Sequence, residues 1–195
     1  MPLLTLNSKS LFFIHIPKTG GSSLYANLKD AGVKVKFVKH KSVEGINRQH
    51  YHIELLEKHF PSFKNYACFT IVRNPWHKLL SEFVWRIKKA KFAKLDKWTA
   101  KNISQPYSAL DNHLRPQIDF IADNVKIFSH NNYSEVELFL ADFFETDIEF
   151  TKKEKVFKYH KLELESLLSK ESYQLYKDTY KENIELYRAL TKRNI

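Results

Sequence analysis

Leu11-Phe12-Phe13-Ile14-His15-Ile16-Pro17-Lys18-Thr19-Gly20-Gly21-Ser22-Ser23 is the stretch on which the fold of this 195-residue chain turns. Its first part is short, apolar and aromatic, as a strand buried on both faces must be. Its second part turns on two glycines and enters Leu24-Tyr25-Ala26-Asn27-Leu28, which has helical spacing and stops near Gly32. Glycines let a tight turn bring successive backbone amides together, and a helix start adds its positive end. The turn is therefore built to hold an anion. Lys18 adds a mobile full charge, and Thr19, Ser22 and Ser23 add hydroxyl donors. The common nucleotide loop, G-x-x-x-x-G-K-[ST], carries its lysine after the glycines, whereas Lys18 precedes them.

The pattern repeats outward from this point. Val33, Val35, Phe37 and Val38 nearly alternate with lysines and read as a second strand over residues 33–38. Residues 46–60 have helical spacing, and Pro61 ends them. Ala67-Cys68-Phe69-Thr70-Ile71-Val72 is a third buried strand, ending at Arg73-Asn74-Pro75, with a helix expected over 76–93. Residues 114–122 read as helical and 125–128 as a fourth strand. Ser134 and Glu137 fit a capping box, and residues 162–190 are helical by spacing. Strands alternating with helices specify an α/β fold, a central parallel β-sheet flanked by helices. No repeat or linker divides the chain, so residues 1–195 read as a single domain. On such sheets ligands bind beyond the carboxyl ends of the strands, which is where the loops after Ile16 and Val72 lie. Arg73 leaves the third strand with a guanidinium fork. Ser81 follows about two helical turns later, so the pair suits a terminal phosphate.

Composition narrows the ligand. The chain carries a formal charge of +10, and the imbalance is one-sided: residues 1–97 hold +12 and residues 98–195 hold −2. A basic first half points to an anion such as nucleic acid, an acidic polysaccharide or a phosphorylated cofactor. The single cysteine, Cys68, excludes a disulfide framework and multi-cysteine metal sites. No apolar run approaches the roughly 20 residues of a membrane helix, and no secretory signal is visible, so a cytoplasmic protein is expected.

The loop Phe13 to Ser23 resembles the 5′-phosphosulfate loop of the carbohydrate sulfotransferase family (sulfotransferase family 2-like), in its form H-I-P-K-T-G-G-[ST]-S. Val72-Arg73-Asn74-Pro75-Trp76-His77-Lys78-Leu79-Leu80-Ser81-Glu82-Phe83 resembles that family's 3′-phosphate motif, V-R-[DN]-P-x-x-R-x-x-S-x-[YF]. Pro116-Gln117, Phe120-Ile121 and Leu162-Glu163 look like weaker family features. The resemblance implies a P-loop-like three-layer fold and the cofactor 3′-phosphoadenosine 5′-phosphosulfate (PAPS). It implies transfer of the sulfuryl group to a hydroxyl or amine, with a carbohydrate, and an acidic glycan in particular, as one acceptor class. The low charge of the sulfuryl group and the lack of a Walker-B-like aspartate or HExxH pair point to in-line transfer without a metal. Carried over by position, Lys18 contacts the bridging oxygen, Pro17, Thr19, Gly20, Gly21, Ser22 and Ser23 hold the 5′-phosphosulfate, and Arg73 and Ser81 bind the 3′-phosphate. Two departures stand out: Lys78 where the family has arginine, and Asn183 where aspartate is common.

The acceptor hydroxyl needs a base, which neutral histidine supplies near pH 7. Among nine histidines His40 is the candidate, because it follows the second strand at the sheet edge shared by both loops, where the family carries a catalytic histidine. His52, His113 and Glu44 are alternatives. His15 reads as a residue that orders the loop, and His77 as exposed. The basic run from Arg86 to Trp98 reads as a solvated helix face or as an acidic-glycan groove with Phe92 or Trp98 against a sugar ring. Lys152, Lys153, Lys155 and Lys158 are candidates for a loop closing over the cofactor. The rivals are a P-loop kinase or nucleotidase, a nucleic-acid-binding module, and a sulfotransferase that binds cofactor without turnover.

Overall fold

A computed structural model describes residues 2–37, 43–87, 91–151, 162–163 and 165–192. Five strands form one sheet in the order β3-β1-β2-β4-β5: β1 (Leu3–Leu6), β2 (Lys9–Phe13), β3 (Lys34–Lys36), β4 (Ala67–Val72) and β5 (Val125–Ser129). The centre is parallel, with β2 beside β4 and β4 beside β5. The flank is antiparallel, because β1 folds back on β2 through Asn7 and Ser8, both at positive φ. Two such residues make the tight turn whose twist suits a hairpin. The expected parallel sheet thus holds for β2, β4 and β5. The sequence reading missed β1, whose four residues are too few to show a period, and placed the second strand too long and without its hairpin neighbour. Two antiparallel steps leave β3 running in the direction of β2, so their carboxyl ends share an edge.

Helices cover both faces. α1 (Gly21–Asp30) and α5 (Tyr133–Phe144) lie over one face, where Leu24, Leu28, Val136 and Leu140 meet Leu11, Phe13, Phe69 and Ile71. α2 (Ile53–His59) and α7 (Lys181–Lys192) cover the other, where Leu55, Leu56 and Leu186 meet Phe12, Ile14, Cys68 and Val72. Alternate strand residues feed alternate faces, as the pleat requires. Phe13 stacks on Phe69 with centroids 4.9 Å apart, and emptying either position costs about 3–5 kcal/mol. A third apolar cluster joins α3 (Pro75–Arg86), α4 (Leu95–Ile103) and α6 (Lys170–Thr179) and buttresses one end of the sheet.

Where helices were misjudged, tertiary bonds explain the outcome. Residues 46–60 are helical only from Ile53, after a short 3-10 turn at Arg48–His50. Asp111 takes the Asn47 amide at 2.6 Å, and Asn112 donates to the His50 carbonyl at 2.9 Å, which holds this segment out of the helix. α3 ends at Arg86 rather than residue 93. Residues 114–122 form only a 3-10 turn at Gln117–Phe120, because the Gln117 amide bonds both backbone groups of Arg73. No capping box forms at α5: the helix starts at Tyr133, and the Ser134 hydroxyl donates to Asn132 Oδ1 instead. The closing helical stretch breaks at Tyr180, with Ser169 capping α6.

Candidate active site

The glycine turn between β2 and α1 is shaped from below by histidine. His15 is buried, stacks on Phe13, and shares a 3.0 Å hydrogen bond between Nδ1 and the Tyr25 hydroxyl. Burial holds its pKa well below the usual imidazole value, so it is neutral at pH 7. Its Nε2 lies 2.2 Å from where a Cβ on Gly21 would sit, so only glycine fits there. Gly20 at φ 96° adopts a left-handed turn, and its carbonyl accepts the Tyr133 hydroxyl at 2.8 Å. Pro17 and Thr19 are buried, and the Thr19 hydroxyl donates to the Ile16 carbonyl at 2.8 Å, so it fixes the turn from inside. Ser22 is exposed, Ser23 is half-buried, and the first turn of α1 carries no acidic residue. A helix start of this kind offers amides and positive potential to an anion.

The second loop closes on the first. Arg73 is buried, its backbone is clamped by Gln117, and its Nη1 donates to the Lys18 carbonyl at 2.9 Å. Burial lowers its pKa to about 10, which leaves it charged at neutral pH. Asn74 caps α3 by accepting from the Trp76 and His77 amides, and Pro75 occupies the first helical position. Ser81 is half-buried on α3, one residue before Glu82. His77, expected to be exposed, is half-buried.

Beside these loops lies a cluster that no short motif announces. Glu82 is fully buried, and its carboxylate accepts from Arg86 Nε and His113 Nδ1, each at 2.6 Å. Its second oxygen lies 4.0 Å from the Lys18 ammonium. Burial raises the Glu82 pKa, but the bonds from His113 and Arg86 outweigh it and keep the group ionised. The His113 ring meets His50 edge to face at 4.9 Å, and His50 lies 5.1 Å from His15. Asp111 accepts from His50 Nδ1 at 2.8 Å and from both Asn47 nitrogens at 2.6 Å. Burial lowers the His50 pKa despite Asp111, so the imidazole is neutral. Two histidines thus each hold Nδ1 against a carboxylate, next to the lysine of the anion loop. His50, Asp111 and His113 also present ligand atoms within 4.8 Å of one another, a set able to hold a metal ion.

The expected site residues fall unevenly. Lys18 and Arg73 meet, and the turn residues between Pro17 and Ser23 form one cradle. His40 lies outside the described residues, as do Lys152, Lys153, Lys155 and Lys158. His113 belongs to the cluster. His52 is buried beside it, with Asn112 Nδ2 on its Nδ1 at 3.2 Å, while Glu44 is exposed and paired with Lys58. Lys78 turns inward: its ammonium donates to the carbonyls of His113 and Arg115, and burial pulls its pKa down to about 7. Phe92 and Trp98 pack on Phe83 with centroids 6.0 and 5.4 Å away, so they serve the third core cluster. His50, Asp111 and Glu82 were missed. The one available signal was a carboxylate, Glu82, in an otherwise apolar helix face of Leu79, Leu80 and Phe83.

A family model described as "Sulfotransferase family" matches residues 2–188 of the chain. No curated protein and no solved structure matches it. Among the described residues, no helix is long and apolar enough to cross a membrane.

Proposed function

The chain belongs to the sulfotransferase family, and from that premise we propose that it moves the sulfuryl group of PAPS onto a carbohydrate hydroxyl. The observation that carries this reading is the 2.9 Å bond from Arg73 to the Lys18 carbonyl, which joins two anion-holding loops into one unit. The residues present suit the donor. A glycine turn, a helix start whose first turn carries no acidic residue and Lys18 fit a phosphosulfate, and a buried arginine with a nearby serine fits a separate phosphate. Gly20, Gly21, Ser22 and Ser23 would hold the phosphosulfate, with Pro17 and Thr19 shaping the turn, and Arg73 and Ser81 would hold the 3′-phosphate.

When bound, the donor supplies a sulfuryl group whose bond to the 5′-phosphate breaks as a bond to the acceptor oxygen forms. Lys18 offsets the negative charge that gathers on the bridging oxygen, and Glu82 holds its ammonium in place from 4.0 Å. His50 is the base in this reading, in place of His40. Asp111 fixes the proton on Nδ1, leaving the lone pair on Nε2, and burial keeps the ring neutral and ready to accept a proton from the hydroxyl. His113 gives its Nδ1 proton to a carboxylate already shared with Lys18 and Arg86, so it links the base to the lysine.

Calorimetric titration with 3′-phosphoadenosine 5′-phosphate, beside AMP and ATP, tests the donor assignment. The expected result is micromolar affinity that needs the 3′-phosphate and is lost in Arg73→Ala. Equal affinity for all three, or none, contradicts it.

A further inference from the structure

We propose that Trp85 is the acceptor platform: a pyranose ring of the acceptor stacks on its exposed indole, next to Lys18 and His113. The inference rests on the sulfuryl-transfer reading and names the part of the site that recognises the sugar. Of the three tryptophans, Trp76 is buried with its indole N–H on the Leu162 carbonyl, and Trp98 packs on Phe83. Trp85 is 49% exposed. Among the described residues, the other exposed large apolar side chains, Tyr66 and Leu138, lie elsewhere, on the segment before β4 and on α5. Trp85 alone among these three touches the site. Its ring centroid lies 4.8 Å from the Lys18 ammonium, 5.0 Å from the Arg86 guanidinium and 5.5 Å from the His113 ring.

An indole face is electron-rich, which is why two cations settle over it here. The C–H bonds on the flat face of a pyranose carry partial positive charge, so the solvent-exposed part of the indole attracts a sugar by the same electrostatics while the sugar's hydroxyls stay at its edge. A sugar seated there brings its edge to the lysine and the histidine pair, where proton removal and charge stabilisation are needed. The nearby cations also favour a ring bearing a carboxylate. The core does not need this ring, since α3 buries its apolar face through Leu79, Leu80 and Phe83, and Trp85 keeps a large apolar surface open beside Lys18.

The test is transfer of labelled sulfate from PAPS by wild type, Trp85→Ala and Trp85→Phe to two probes. One is a hexasaccharide of alternating glucuronic acid and N-acetylglucosamine, and the other is the neutral hexamer of N-acetylglucosamine. Affinity for 3′-phosphoadenosine 5′-phosphate is measured in parallel. The expected result is an acceptor KM at least tenfold higher in Trp85→Ala, a smaller change in kcat, and recovery of most of the loss in Trp85→Phe. Nucleotide affinity stays within twofold, and the acidic probe is preferred over the neutral one. A KM within twofold of wild type overturns the proposal, as does a loss confined to kcat, which would mean that Trp85 acts through Lys18. Tight nucleotide binding by a wild type that sulfates neither glycan also overturns it while sparing the donor reading. Absent nucleotide binding removes the donor reading and the proposal together.

Discussion

The glycine turn and the histidine–carboxylate cluster sit side by side but are built in opposite ways. The turn is contiguous: it is built from residues 15–23, and long-range ties reach it from Tyr133 on the Gly20 carbonyl, Arg73 on the Lys18 carbonyl and Glu82 beside the Lys18 ammonium. The cluster draws His50, Glu82, Asp111 and His113 from three separated stretches of chain. Contiguity lets the turn hold its shape through local constraints, a glycine that only glycine can replace and a threonine bonded three residues back. The cluster holds its shape through buried histidine–carboxylate hydrogen bonds, which depend on the whole fold being in place. Damage to the turn should therefore act locally on nucleotide binding, and damage to the cluster should act on turnover.

The largest effect is expected at the point where the two regions meet. Lys18→Ala should lower turnover by about 10³-fold, in line with the loss of one charge-stabilising group, with an unchanged circular dichroism spectrum. Asp111→Asn should cost about 10²-fold in turnover, because an amide can face His50 with its own N–H and present the wrong tautomer. Nucleotide affinity should stay within a few-fold in that variant, and a matching loss of affinity would erase the distinction between the regions. Gly21→Ala should show the converse, a fall of about tenfold or more in affinity for 3′-phosphoadenosine 5′-phosphate. Adding His15→Ala should restore part of it by vacating the space the Cβ needs, a coupling that a double-mutant cycle reads directly.

The smallest predicted effect concerns Lys78, which anchors the cluster from behind. Its folded pKa of about 7 lies below the unfolded value near 10.5, so between these values the unfolded chain binds more protons. Stability should therefore rise with pH across roughly 7 to 10 and be flat below that window. Lys78→Met should remove this slope in denaturant titrations. It should also cost about 1–3 kcal/mol at the alkaline end, because the His113 and Arg115 carbonyls lose their donor.

What could be read from the sequence follows the same division. β4 matches its expected bounds, Ala67 to Val72, and the strand–turn–helix around Gly20 lies where spacing put it, because both depend on near neighbours. Residues 46–50 were read as helix because apolar spacing carries no trace of Asp111 and Asn112, which capture that backbone from more than sixty positions away. The same bonds place His50 in the cluster, so the residue proposed as base was hidden from the sequence together with the turn that carries it. The run carrying Phe92 and Trp98 was read as a solvated helix face or as a glycan groove with these rings against a sugar. Spacing gave no sign that both rings would pack on Phe83, or that Trp85 would be left exposed.

The most direct test of the cluster's role compares His50→Ala with wild type for sulfate transfer and for affinity toward 3′-phosphoadenosine 5′-phosphate. The assignment of His50 as base predicts turnover reduced by about 10²–10⁴-fold, with nucleotide affinity unchanged within twofold. Turnover within a few-fold of wild type would contradict it and return the role to another histidine.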